Sequence, residues 1–74
     1  TRPTYDAIFA NINRNVLLEQ IPSYSHALKV GGSLFLSGFY HSDVNFLQQA
    51  FKKENLTLIS TKEKEQWCAL KLIK

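Results

Sequence analysis

Two short apolar runs, each cut off by polar or flexible residues, frame this chain: Tyr5-Asp6-Ala7-Ile8-Phe9-Ala10 and Ser33-Leu34-Phe35-Leu36-Ser37. Runs of this length and character suit strands buried on both faces of a sheet. Between them, apolar positions recur at helical spacing at Leu17, Leu18, Ile21, Tyr24 and Leu28. Asn15 is placed to cap this helix, because its side-chain oxygen accepts from a free amide in the next turn. Pro22 falls inside the pattern and predicts a kink or restart, since proline lacks the N–H and crowds the preceding turn. Gly31-Gly32 predicts the helix end, and Gly38 the end of the second strand.

A second helix is predicted from Ser42 or Asp43 to about Lys53, with Val44, Leu47 and Phe51 on one stripe and Phe46 and Ala50 beside it. Glu54-Asn55 reads as its stop. Leu56 to Ser60 then reads as a third strand, Thr61 to Gln66 as a strand end plus turn, and Trp67 to Ile73 as a fourth strand. Period-2 alternation puts Trp67, Ala69 and Lys71 on one face of that strand and Cys68, Leu70 and Leu72 on the other. Too few residues join the last two strands for a crossover helix, so they are expected to pair antiparallel. The predicted order is β-α-β-α-β-β, an α/β fold whose first two strands form a right-handed parallel crossover unit.

The 74 residues make at most one small domain, and one this size buries only roughly 60% of the surface its unfolded chain exposes. Five Phe, three Tyr and one Trp supply a core, and no repeat or low-complexity tract argues for disorder. The net charge of +3 comes mostly from lysines after Lys52 and reads as a solvated surface. Aromatic residues do not interleave with these lysines as in single-strand binders, so no direct nucleic-acid partner is expected. A single cysteine, Cys68, excludes an intrachain disulfide and reads as a small buried hydrophobe. It fits a reducing compartment, and a cytoplasmic location is the expectation. Nothing approaches the roughly 18 apolar residues of a membrane span. His26 in a helix and His41 in a loop have no partner at ligand spacing, so no metal site is expected. The chain starts without Met and opens directly into a strand, which reads as a piece of a longer protein.

Asn11, Asn13 and Asn15 follow the first apolar run, and ligands of open α/β sheets bind outside the carboxyl ends of the strands. Tyr40 follows the second run and is a candidate for the substrate side of the same crevice. Asn13 and Asn15 read as loop and cap residues, Arg14 as a solvated loop charge, and Trp67 as a core residue.

Two levels of family resemblance add to this reading. Leu28-Lys29-Val30-Gly31-Gly32-Ser33-Leu34-Phe35-Leu36-Ser37 is similar to the helix-turn-strand before the fifth strand of Rossmann-like methyltransferases, with Val30 where proline is usual. In that seven-stranded fold, the last strand inserts antiparallel beside the fifth. Tyr5 to Ile12 with its Ala10-Asn11-Ile12, Leu17 to Pro22, Leu36-Ser37-Gly38-Phe39, and Gln66-Trp67-Cys68-Ala69-Leu70 together resemble the bacterial methyltransferases of large-subunit ribosomal protein eleven. The likeness runs over essentially the whole chain.

The resemblance implies the C-terminal part (residues 1–74) of a catalytic domain that methylates amino groups of that ribosomal protein with S-adenosylmethionine. It implies a cofactor contact for Asn11. The Asn-Pro-Pro-aromatic form of many amino-group methyltransferases is not kept, because Asn11-Ile12-Asn13-Arg14 retains only the first Asn. The glycine-rich turn and the ribose-binding acid of the family belong to a missing N-terminal half, so the chain alone is expected to be inactive. In the family the fourth strand pairs with the absent first strand, leaving Tyr5 to Ala10 as an edge through which the piece would self-associate. The alternatives are a methyltransferase of the same fold acting on a small molecule or nucleic acid, and a non-enzymatic RNA-binding α/β module.

Overall fold

The run around Ile8 forms strand β1, Tyr5–Asn11, in a computed structural model that describes residues 4–11 and 13–74. Thr1, Arg2, Pro3 and Ile12, the last of these within the Ala10-Asn11-Ile12 segment, lie outside the described residues. Helix α1 (Arg14–Ala27), strand β2 (Leu28–Tyr40), a 3-10 turn (His41–Asp43), helix α2 (Val44–Lys53), β3 (Thr57–Lys64) and β4 (Trp67–Ile73) follow. The predicted element order is therefore present. β1 and β2 pair parallel, β4 runs antiparallel to both β2 and β3, and the lateral order is β1-β2-β4-β3. The last strand thus inserts beside β2, as the resemblance implied. Glu65 closes the β3–β4 hairpin at φ 59°, in the left-handed region that tight hairpins use.

Both helices lie against one face of the sheet. Leu17 and Ile21 of α1 and Val44, Leu47 and Phe51 of α2 are buried against Leu34, Leu36 and Phe39 of β2 and Cys68, Leu70 and Leu72 of β4. The expectation of strands buried on both faces is corrected here. Phe9 is 77% exposed, and its face continues through Phe35, Ala69, Lys71 and Ser60 without a covering element. The described helices cover one side only, so the alternate residues of each strand face outward. β1 stands at the lateral edge of the sheet.

Several local expectations are also corrected. Asn13, not Asn15, caps α1, its side-chain oxygen accepting from the Val16 amide at 3.0 Å. α1 runs through Pro22 as one helix. Pro22 is exposed, while Leu17, Ile21 and Ser25 are buried along one stripe, so tertiary packing on both sides of the proline holds the helix together. The Ser25 hydroxyl adds a bond to the Glu54 carbonyl at 3.0 Å. The helix stops at Ala27, before the glycine pair, which lies inside β2. Gly31 sits at φ 85° and donates to the Lys74 carbonyl at 2.9 Å.

Gly32 is there because backbone crowds it. A Cβ at this position would lie 2.8 Å from the Lys29 carbonyl oxygen and 3.1 Å from that of Asp6. Neither oxygen can swing aside as a side chain can. Gly32→Ala is expected to lower stability by about 1–3 kcal/mol, read as an earlier urea midpoint; an unchanged midpoint would show that this end of β2 relaxes freely. Gly38, at φ 94°, does not end β2 but makes a bulge in its pairing with β4 between Ser37 and Phe39. β3 is longer than its apolar part predicts, because its polar half pairs with β4 as far as Lys64↔Trp67.

Candidate functional site

The carboxyl ends of β1, β2 and β3 lie along one edge of the sheet, where β4 begins. Asn11 ends β1 opposite Ser37 of β2. Register partners share a face. Phe9↔Phe35, Asn11↔Ser37, Ser37↔Ala69 and Tyr40↔Trp67 therefore all stand on the face that no helix covers. A shallow hollow of about 840 Å³ at this edge is lined by Asn11, Ser37, Gly38, Lys62, Trp67 and Ala69, among others. Its size falls in the range of small-molecule sites.

Asn11 has an exposed side chain here. Asn13 also borders the hollow, but its side-chain oxygen is committed to the α1 cap, as a cap reading requires. Tyr40 stands at the end of β2, half exposed, and stacks on Trp67 with ring centroids 4.7 Å apart and planes 23° apart. Trp67 is thus not core: it is 48% exposed. The sequence pattern gave its face correctly, but that face has no cover among the described residues.

The floor of this edge is braced. Arg14 Nη1 donates to Asp43 Oδ1 at 3.1 Å, and its guanidinium lies 5.3 Å from the Phe46 ring centroid. Arg14 is exposed, as a solvated charge would be, but it stands at the start of α1 and has an ion-pair partner. It ties the start of α1 to the 3-10 turn, whose Asp43 Oδ2 also accepts from the Tyr40 amide at 3.2 Å. At the opposite end of the sheet Lys74, expected as part of a solvated lysine surface, donates from Nζ to the carbonyls of Ser25 at 2.5 Å and Leu28 at 2.8 Å. His26 is exposed in the last turn of α1.

One grouping was missed by sequence spacing. His41 Nδ1 lies 2.6 Å from Glu63 Oε1 and 3.8 Å from Cys68 Sγ. Positions 41, 63 and 68 make no ligand pattern along the chain. They meet because Glu63 and Cys68 are register partners in the hairpin and the His41 amide donates to the Gln66 carbonyl at 2.9 Å. The hairpin register was the available signal. Cys68 is buried as expected. Burial pushes its thiol pKa up, and the carboxylates of Glu63 and Asp43 push the same way by disfavouring a second negative charge. Alkylation of the native chain by iodoacetamide at neutral pH is expected to be far slower than that of the urea-unfolded chain; equal rates would show an open, ionised thiol.

No helix of the described residues is long and apolar enough to cross a membrane.

Residues 1–74 match the family profile described as Ribosomal protein L11 methyltransferase (PrmA). Similar curated proteins include the ribosomal protein L11 methyltransferases of Porphyromonas gingivalis, 44% identical over 93% of this chain, and of Bacteroides thetaiotaomicron, 42% identical over 90% of it. That of Phocaeicola vulgatus is 38% identical over 97% of this chain. The chain spans about a quarter of the length of these relatives: 24%, 24% and 26%. A crystal structure of a ribosomal protein L11 methylase from Lactobacillus delbrueckii subsp. bulgaricus superposes with a TM-score of 0.87 at 25% identity, covering 93% of this chain and 36% of that one.

Proposed function

Because the chain belongs to the ribosomal protein L11 methyltransferase family, we propose that it is the C-terminal part of a catalytic domain that transfers methyl groups from S-adenosylmethionine to amino groups of that ribosomal protein. The observation that carries the reading is the acceptor-bearing edge formed by Asn11 and Ser37 beside the exposed Tyr40–Trp67 pair, at the carboxyl ends of two parallel strands.

The residues present fit one end of the cofactor. S-adenosylmethionine supplies a methyl group on a sulfonium carbon. An exposed amide, a hydroxyl and a side-chain-free Gly38 border the hollow where that end would lie. Among the described residues the rest of the cofactor has no counterpart. The turn from β1 to α1 contains Asn13, and that from β2 to α2 is His41–Asp43, so neither is glycine-rich; the glycines at 31, 32 and 38 lie within β2. On this reading the glycine-rich turn and the acidic ribose ligand are supplied from outside these 74 residues.

Methyl transfer to nitrogen needs an uncharged amine held in line with the donor carbon. The Asn11 amide oxygen accepts a hydrogen bond from such an amine and adds no charge. The Trp67 ring lines the hollow with Tyr40 stacked on it, and aromatic faces of this kind would favour a cationic nitrogen. The chain acts on the amine, while the upstream half holds most of the donor. The unpaired edge of β1 supports self-association when that half is absent.

The test is tritiated methyl transfer to purified ribosomal protein L11 by a protein extended upstream from this chain. Labelling is expected there and not with the 74 residues alone, which should also show no calorimetric binding of S-adenosylmethionine. Labelling by the short chain would overturn the division of roles. No labelling by the extended protein would remove the ribosomal substrate and bring forward a small molecule or nucleic acid.

A further inference from the structure

At the same sheet edge stands a group that methyl transfer does not use. His41 Nδ1, Glu63 Oε1 and Cys68 Sγ all lie within 4.8 Å of one another. They come from the 3-10 turn, β3 and β4, and backbone pairing fixes all three. Glu63 and Cys68 face each other across the hairpin, Phe39 pairs with Cys68 from β2, and His41 bonds to the hairpin turn at Gln66. Cys68 is buried and Glu63 is its register partner, and both also border the hollow lined by Asn11 and Trp67, so the cluster adjoins that site.

We propose that His41, Glu63 and Cys68 form a binding site for a thiophilic divalent cation of the zinc type, clipping the start of the 3-10 turn to the end of the β3–β4 hairpin. The donor set is one thiolate, one imidazole and one carboxylate, a combination that suits zinc and cobalt and not magnesium or calcium. Tetrahedral ligands at about 2.0–2.3 Å from zinc lie roughly 3.3–3.8 Å from each other. The His41–Cys68 separation of 3.8 Å already meets this. The His41–Glu63 pair, at 2.6 Å, is a hydrogen bond that must open by under an ångström. Both side chains are free to do so, being 63% and 45% exposed. The ion takes the place of the proton between Nδ1 and the carboxylate, which leaves to solvent while Nε2 carries the ring N–H, and the Cys68 thiol likewise gives up its proton to solvent. Asp43 is not a ligand, because its two oxygens are held by Arg14 and the Tyr40 amide. Three protein ligands leave the fourth position to water.

Cobalt(II) titration of the full 74-residue chain, with folding followed by circular dichroism, tests this. A thiolate-to-cobalt charge-transfer band is expected to saturate at one equivalent and to bleach when zinc is added. Cys68→Ser should abolish the band. His41→Gln and Glu63→Gln alter exposed positions and should each weaken binding by about tenfold or more while leaving the fold intact. A wild-type chain without the band, or a band indifferent to His41→Gln and Glu63→Gln, overturns the site even if Cys68→Ser fails to fold.

Discussion

Asn11→Ala, placed in the protein extended upstream, is expected to lower kcat for methyl transfer on the order of 10²-fold, the scale on which misplacing a reacting group acts. Stability should change by no more than about 0.5 kcal/mol, because the side chain is exposed at the end of an edge strand. The two readouts together are diagnostic. An amide that orients the amine affects kcat and not the unfolding midpoint, whereas one that merely terminates β1 affects neither. Asn11→Asp sharpens the test. It keeps the shape and the acceptor but introduces a charge, which holds the substrate as an ammonium ion without a free lone pair. Its loss should therefore shrink as pH rises toward the amine's own pKa. A rate unaffected by Asn11→Ala would return the residue to its strand and leave Ser37, Tyr40 and Trp67 as the groups facing the amine.

Phe51→Ala is expected to cost about 3–5 kcal/mol, the usual cost of deleting a fully buried ring. A 74-residue domain has roughly 4–11 kcal/mol in total. The ring is 1% exposed on α2 and packs into the one core that both helices share. The Phe51 carbonyl also accepts from the Leu56 amide at 2.9 Å, so the loss sits where the chain turns from α2 into β3. A fall in Tm of more than about 10 °C should follow, with much of the chain unfolded at physiological temperature. Phe46→Ala is the control on the same helix: Phe46 is 57% exposed and its ring lies 5.3 Å from the Arg14 guanidinium, so about 1 kcal/mol or less is expected. Similar losses for the two would mean that α2 does not pack as described.

Those two phenylalanines show what was legible in the sequence. Val44, Leu47 and Phe51 fall on one helical stripe and are buried, and Phe46 stands off it and is exposed. The alternation in Trp67 to Ile73 is likewise kept in full, because period 2 is a property of the strand itself. Misreadings occur where tertiary structure overrides a local signal. Pro22 would break an isolated helix, but here the buried residues before and after it hold both halves against the sheet. Gly31-Gly32 and Gly38 read as stops, yet all three lie inside β2: Gly31 takes a positive φ, Gly32 admits a close approach of backbone, and Gly38 makes a bulge. For the site, the sequence located Asn11 and Tyr40 at the strand ends. It could not pair Tyr40 with Trp67, or His41 with Glu63 and Cys68, because those meetings depend on strand order and register.

The bulge at Gly38 has a consequence for how the two faces of this edge are assigned. Before it, the even-numbered side chains of β2, Leu34 and Leu36, point to the helices; after it, the odd-numbered Phe39 does. Gly38 acts as a phase shifter that lets one strand serve two patterns. Deleting that single residue would leave both neighbouring rings where they are, whereas keeping it and flattening the bulge would exchange them, sending the apolar one to solvent and the phenol into the core. The amine-facing wall and the end of the hydrophobic core are thus set together by one backbone angle.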